Sequence, residues 1–158
     1  MMPKILFMDV DGTLTDGKIY MGTDGEVMKA FDIKDGYGIH ELLPEHGIIP
    51  VIITGRTSKI VENRAKELGI SELYQGKHDK LGTMEAVLNK YSVLYAEAAY
   101  IGDDILDLCC LELCGYRGCP ADAVDAIKTN CNYVCKNTSG NGAVREFIEW
   151  IIKEGEKK

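Results

Sequence analysis

Three short runs dominated by apolar residues, at 4–9, 48–54 and 98–103, interrupt an otherwise mixed chain. None alternates with polar positions as a half-exposed strand does, so each predicts a strand covered on both faces. Elsewhere the period changes. Over 58–69, Ile60, Val61, Ala65 and Leu68 fall on one helical face, with Ser58 at the N-cap position and Gly69 at the stop. Residues 83–94 and 105–113 read as further helices, and 143–153 as an amphipathic one. Strands separated by helices imply parallel crossovers, and hence an α/β fold built on a doubly wound parallel sheet. Ligands of such sheets collect beyond the carboxyl ends of the strands.

Two segments depart from that rhythm. Residues 17–33 hold two short β-like runs around Gly22-Thr23-Asp24-Gly25, which predicts a β-hairpin flap projecting just after the first strand. Pro44, inside 39–47, predicts a kinked or shortened helix.

The length of 158 residues, 46% of them apolar, predicts one domain over 1–158. A formal charge of −7 argues against a nucleic-acid or anionic-membrane partner, so an anionic ligand must be met by locally placed cations. The absence of a run of about 20 apolar residues and of a signal-like start leads to the expectation of a cytoplasmic protein. The six cysteines, Cys109, Cys110, Cys114, Cys119, Cys131 and Cys135, lack a paired Cys-x-x-Cys spacing and are expected to be reduced, mostly buried side chains.

The chemistry sits where the strands end. The first predicted strand closes on Asp9 and Asp11 followed by Gly12, the second on Thr54-Gly55-Arg56, and the third on Gly102-Asp103-Asp104 with Asp107 a turn later. Lys80 opens the helix before that third strand. Clustered carboxylates repel one another and need a cation or a proton. Magnesium suits a few carboxylates that share a site with phosphate oxygens. With that ion present, one aspartate can attack phosphorus, and a second, two residues along an extended backbone, can protonate the leaving alcohol. Thr54 and Lys80 suit the charge on the transferring group. Taken alone, Asp-x-Asp-Gly also makes turns and calcium loops; the ordered arrival of all these groups at successive strand ends is the specific signal.

The stretches "DVDGTLTDG", "ITGR", the lysine of "QGKHDK" and "GDD" resemble, in order, the four motifs of the haloacid dehalogenase superfamily. More closely, "FDIKDGYGI", "VIITGRTSKIVENRAKELGI", "YIGDDILD" and "GAVRE" are similar to the 3-deoxy-D-manno-octulosonate 8-phosphate phosphatases and their relatives acting on nonulosonate phosphates. The resemblance implies Asp9 as nucleophile, Asp11 as acid/base, and Mg2+ held by Asp9, the carbonyl of Asp11 and Asp103. It implies Thr54 and Lys80 on the phosphoryl group. Asp32, Lys34, Asp35, Gly36, Gly55, Arg56, Arg64 and Arg145 then face the sugar-acid end of the substrate. It further implies a Rossmann-like core without a large cap domain, in a homotetramer where the hairpin and a neighbour's C-terminus close the site. Lys34 and His40 stand where relatives usually carry arginine, which affects the choice of sugar acid rather than the reaction. The competing readings are a phosphatase of a nonulosonate 9-phosphate, a non-catalytic oligomerisation or binding module, and a phospho-acceptor signalling domain.

Overall fold

The computed structural model describes residues 1–157. Its main sheet has the order β5-β4-β1-β6-β7-β8, formed by β1 (Ile5–Met8), β4 (Ile49–Ile53), β5 (Glu72–Tyr74), β6 (Ala98–Ile101), β7 (Tyr116–Cys119) and β8 (Tyr133–Val134). All pairings in it are parallel. A separate antiparallel pair, β2 (Tyr20–Gly22) and β3 (Gly25–Met28), is the predicted hairpin.

Side-chain alternation on the central strands explains the two layers around the sheet. Leu6 and Met8 of β1, Ile52 of β4 and Ile101 of β6 face one core, filled from outside by Ile39, Val61, Phe147 and Ile148. Ile5, Phe7, Ile53 and Tyr100 face the other, filled by Met84, Val87 and Leu111. The covering helices are α1 (Ile33–Tyr37), α2 (Leu43–Glu45), α3 (Lys59–Glu67), α4 (Lys80–Tyr91), α5 (Leu108–Leu111), α6 (Asp125–Lys128) and α7 (Ala143–Glu156). No helix among the described residues is long and apolar enough to cross a membrane.

Several expectations change in detail. The segment 105–113 is not one helix: a 3-10 turn at Ile105–Asp107 precedes a four-residue α5, because Asp104 caps the turn and Asp107 is drawn inward. Helix α4 begins at Lys80 rather than at Thr83, capped by Asp79, whose side chain accepts from the Gly82 amide. Pro44 lies at the start of α2, after a π-helical turn over Gly38–Leu42; lacking an N–H, proline cannot donate to the preceding turn, which widens instead of breaking. Ser58 has cap geometry before α3, yet its hydroxyl donates to Glu26 Oε1 (3.0 Å) and caps nothing.

Strand register places the functional rim. Met8 is level with Ile52 on one side and Ile101 on the other, so the ends of β1, β4 and β6 lie side by side. Strand order reverses at β1, where an open α/β sheet leaves a crevice.

Candidate active site

Asp9 follows β1 directly and is 8% exposed. Its amide donates to the carbonyl of Ile101 (3.2 Å), which holds it between the two halves of the sheet. The strand stops at Met8, and the amides of Thr13, Leu14 and Thr15 all converge on the Val10 carbonyl. Asp11 therefore reaches the same cleft as Asp9 by a tight turn, and not by the alternation of an extended strand. Gly12 takes φ +87° within that turn, and a side chain there would collide with the Asp103 carboxylate.

One cleft of about 180 Å³ is lined by Asp9, Asp11, Thr54, Gly55, Arg56, Lys80, Asp103, Asp104 and Asp107. The Lys80 ammonium lies at its floor, 4% exposed, 2.9 Å from Asp9 Oδ1 and 2.7 Å from Asp107 Oδ1. Burial alone would lower its pKa, but the two carboxylates more than offset this and hold it above the ordinary lysine value. Burial, followed by the charges of neighbouring carboxylates, pushes both Asp9 and Asp103 above the usual carboxylate range. Such a pair of raised carboxyls invites a cation, whose arrival favours the ionised form of both.

Asp9, Asp103 and Asp107 each bring an oxygen within 4.8 Å of the others. The donors already on them decide which can hold a metal. Asp107 is spent: Oδ1 accepts from Lys80 and from the buried Tyr100 hydroxyl (2.8 Å), and Oδ2 from the amides of Asp103 (3.1 Å) and Asp104 (3.4 Å). Asp9 and Asp103 keep oxygens for an ion, and Asp103 is steadied by the Thr13 hydroxyl at 3.2 Å. This all-oxygen donor set suits magnesium.

Of the residues singled out from the sequence, Asp9, Asp11, Thr54, Gly55, Arg56, Lys80 and Asp103 meet at this cleft. The other six gather elsewhere, around α1. Asp32 caps that helix by accepting from the amides of Lys34 and Asp35. The Asp35 carboxylate accepts from the Arg145 amide (2.8 Å), and Gly36 packs against the Arg64 guanidinium. Arg64 pairs with Glu67 at 2.9 Å and lies over Phe31; Arg145 pairs with Glu149 at 2.6 Å and lies over Tyr37, with Nη1 reaching the Lys34 carbonyl.

Two residues that sequence reasoning passed over also reach the cleft's edge. Lys29, just after β3, places Nζ 2.5 Å from Asp11 Oδ1 and 2.9 Å from Glu26 Oε2. Arg56 approaches the same two carboxylates, at 3.9 and 3.7 Å. No local signal marks Lys29 or Glu26, since both stand in an ordinary polar hairpin sequence.

Residues 69–148 match the family model of haloacid dehalogenase-like hydrolases. The chain is 42% identical over 149 residues to the 3-deoxy-D-manno-octulosonate 8-phosphate phosphatase of Escherichia coli K12, covering 94% of this chain and 79% of that protein. The corresponding phosphatase of Moraxella catarrhalis, crystallised with magnesium, phosphate and KDO, superposes with a TM-score of 0.91 at 42% identity, over 96% of this chain and 86% of that one. The cobalt-bound enzyme of Haemophilus influenzae gives 0.93 at 34% identity, over 98% and 90%.

Proposed function

Since the chain belongs to the haloacid dehalogenase-like hydrolases, and among them to the 3-deoxy-D-manno-octulosonate 8-phosphate phosphatase-like family, we propose that it hydrolyses that sugar-acid phosphate with Mg2+ as cofactor. The observation that carries the reading is the meeting, at one cleft, of Asp9 with Lys80 on one oxygen and Asp103 beside it, with Asp11 and Thr54 on the rim.

In this reading Asp9, Asp103 and the carbonyl of Asp11 would hold Mg2+, which would supply positive charge for the phosphoryl oxygens. An Asp9 carboxylate oxygen forms a bond to phosphorus as the bond from phosphorus to the sugar oxygen breaks, and Asp11 gives its proton to the departing oxygen. Water then attacks the aspartyl-phosphate, Asp11 takes up the water's proton, and Asp9 leaves phosphorus as a free carboxylate. Lys80 and Thr54 hold the transferring group in line.

A cleft of about 180 Å³ is smaller than the roughly 300–1,000 Å³ of pockets that enclose whole ligands. It takes the phosphoryl end and leaves the sugar acid outside, against Gly55 and Arg56. Asp32, Lys34, Arg64 and Arg145 meet the substrate only across a subunit boundary, in a cytoplasmic homotetramer, whereas Asp35 and Gly36 are buried and shape that face from within. Exposed Met21 (63%), Val27 (62%) and Met28 (50%) on the hairpin support such an assembly.

The test is a panel of octulosonate 8-phosphate and nonulosonate 9-phosphates assayed with Mg2+. Rapid release of phosphate from the eight-carbon ester, abolished by a chelator and lowered by at least about 10³-fold in Asp9→Asn, is the expected result. Preference for a nine-carbon ester moves the substrate assignment, and full activity of Asp9→Asn removes the mechanism.

A further inference from the structure

Lys29 is flanked by exposed residues, Met28 at 50% and Ala30, yet its own side chain is 1% exposed. Lysine is rarely buried so fully unless its charge is matched. Here it is matched twice, by Asp11 and by Glu26. The group extends further: Arg56 approaches Asp11 Oδ2 and Glu26 Oε2, and the Ser58 hydroxyl donates to Glu26 Oε1. Two cations and two anions thus alternate across the gap between the hairpin, the turn after β1 and the loop after β4. Among the described residues the hairpin forms no strand pairing with the main sheet, and this charge group ties it to the cleft's edge. Buried ion pairs add little to stability but specify geometry when one arrangement satisfies all partners.

The geometry singles out one oxygen of Asp11. Oδ1 is engaged by the Lys29 ammonium at 2.5 Å, whereas Oδ2 lies on the side of Arg56, a residue of the cleft wall, 3.9 Å from its Nε. We propose that Lys29 is a positioning residue for phosphoryl transfer: its grip on Asp11 Oδ1 presents Oδ2 to the oxygen of the departing alcohol. The inference rests on the reading of Asp11 as acid/base, and it makes the hairpin part of the reacting geometry and not merely a cover over it. A misplacement of about 1 Å in a reacting group lowers rate by about 10²-fold.

The leaving group supplies the test. A nitrophenolate departs without a proton, whereas an alkyl alkoxide needs one, so in the step that forms the aspartyl-phosphate, read as single-turnover release of the leaving group, a fault at the acid weighs on the alkyl ester alone; the water step that follows is common to both esters. Wild type, Lys29→Met, Lys29→Arg and Asp11→Ala are compared on 4-nitrophenyl phosphate and on whichever sugar-acid phosphate the wild type hydrolyses fastest, an alkyl ester. For Lys29→Met, the single-turnover rate of alcohol release from the alkyl ester falls by about 10²-fold with KM within about twofold, and nitrophenolate release loses less than about fivefold. Lys29→Arg recovers part of the loss. Asp11→Ala shows the same contrast, larger. An equal loss on both esters, or a change confined to KM, overturns the role of Lys29 if Asp11→Ala still discriminates. If Asp11→Ala does not discriminate, the acid/base reading of Asp11 falls first. Melting curves identify a variant that fails to fold, in which case Lys29→Gln carries the same comparison.

Discussion

Asp107 shows how much of this cleft depends on a group whose two oxygens are already taken by donors of the protein. Four donors converge on its carboxylate, and a side chain at Gly102 would collide with it. It holds Lys80 toward Asp9 and, through two amides, fixes the loop that carries Asp103. Asp107→Asn replaces an acceptor oxygen with a donor amide that faces either the Lys80 ammonium or the two backbone N–H groups. Its kcat is expected to fall by about 10–100-fold, as for groups that orient metal ligands. Tyr100→Phe, which removes one of four donors, is expected to lose far less; wild-type turnover in Asp107→Asn would show that Lys80 needs no such anchor. From the sequence Asp107 was visible only as a carboxylate a turn beyond Gly102-Asp103-Asp104. Its role depends on Lys80, remote in the chain, and on the inward tilt of a 3-10 turn that an expectation of regular helix over 105–113 does not contain.

Elements are tied to one another by few but buried polar contacts, and the clearest is the hold of α1 on α7. Gly142, at the N-cap of α7, has no side chain to cap with, and Asp35 reaches across to accept from the Arg145 amide instead. Burial pushes Asp35 up to about 6, with the nearby Asp32 charge adding to it and the amides of Arg145 and Gly142 and the Arg64 guanidinium opposing. A carboxyl raised on folding binds more protons folded than unfolded between about pH 4 and 6, so its contribution to stability falls as pH rises through that window. The cost is on the order of 2–3 kcal/mol and is complete above the folded value. Asparagine keeps the acceptor oxygen without the charge. Relative to wild type, Asp35→Asn should therefore gain stability as pH is raised from about 4 to about 7 in urea titrations; a difference independent of pH would exclude this account. Elements β1, β4, β6, α3 and α7 are plain in the apolar pattern because each buries a continuous apolar face. Strands β5, β7 and β8 are not, because polar residues interrupt them or they are only two residues long, as in Tyr116-Arg117-Gly118-Cys119 and Tyr133-Val134. Lys29 escaped for a related reason: only the folded hairpin brings it to Asp11.

At the scale of the whole molecule, a small cleft stands beside a hairpin that exposes Met21, Val27 and Met28 and, among the described residues, has no strand partner in the main sheet. The proposed assembly joins these two features. Light scattering behind a sizing column should give the mass of four chains of 17.5 kDa, and Val27→Asp together with Met21→Asp should yield smaller species with impaired hydrolysis of the sugar-acid ester. A fully active wild-type monomer would remove the subunit boundary from the account, and the six residues around α1 with it.

The central place of β1 in the sheet has a consequence for how the protein comes into being. Strand β1 is translated well before its neighbour β6 and the anchor Asp107. A nascent chain halted before β6 carries Asp9 on a strand that still lacks that neighbour, with neither Asp103 nor Asp107 beside it. The cleft is thus complete only after Asp103 and Asp107 have been added to the chain.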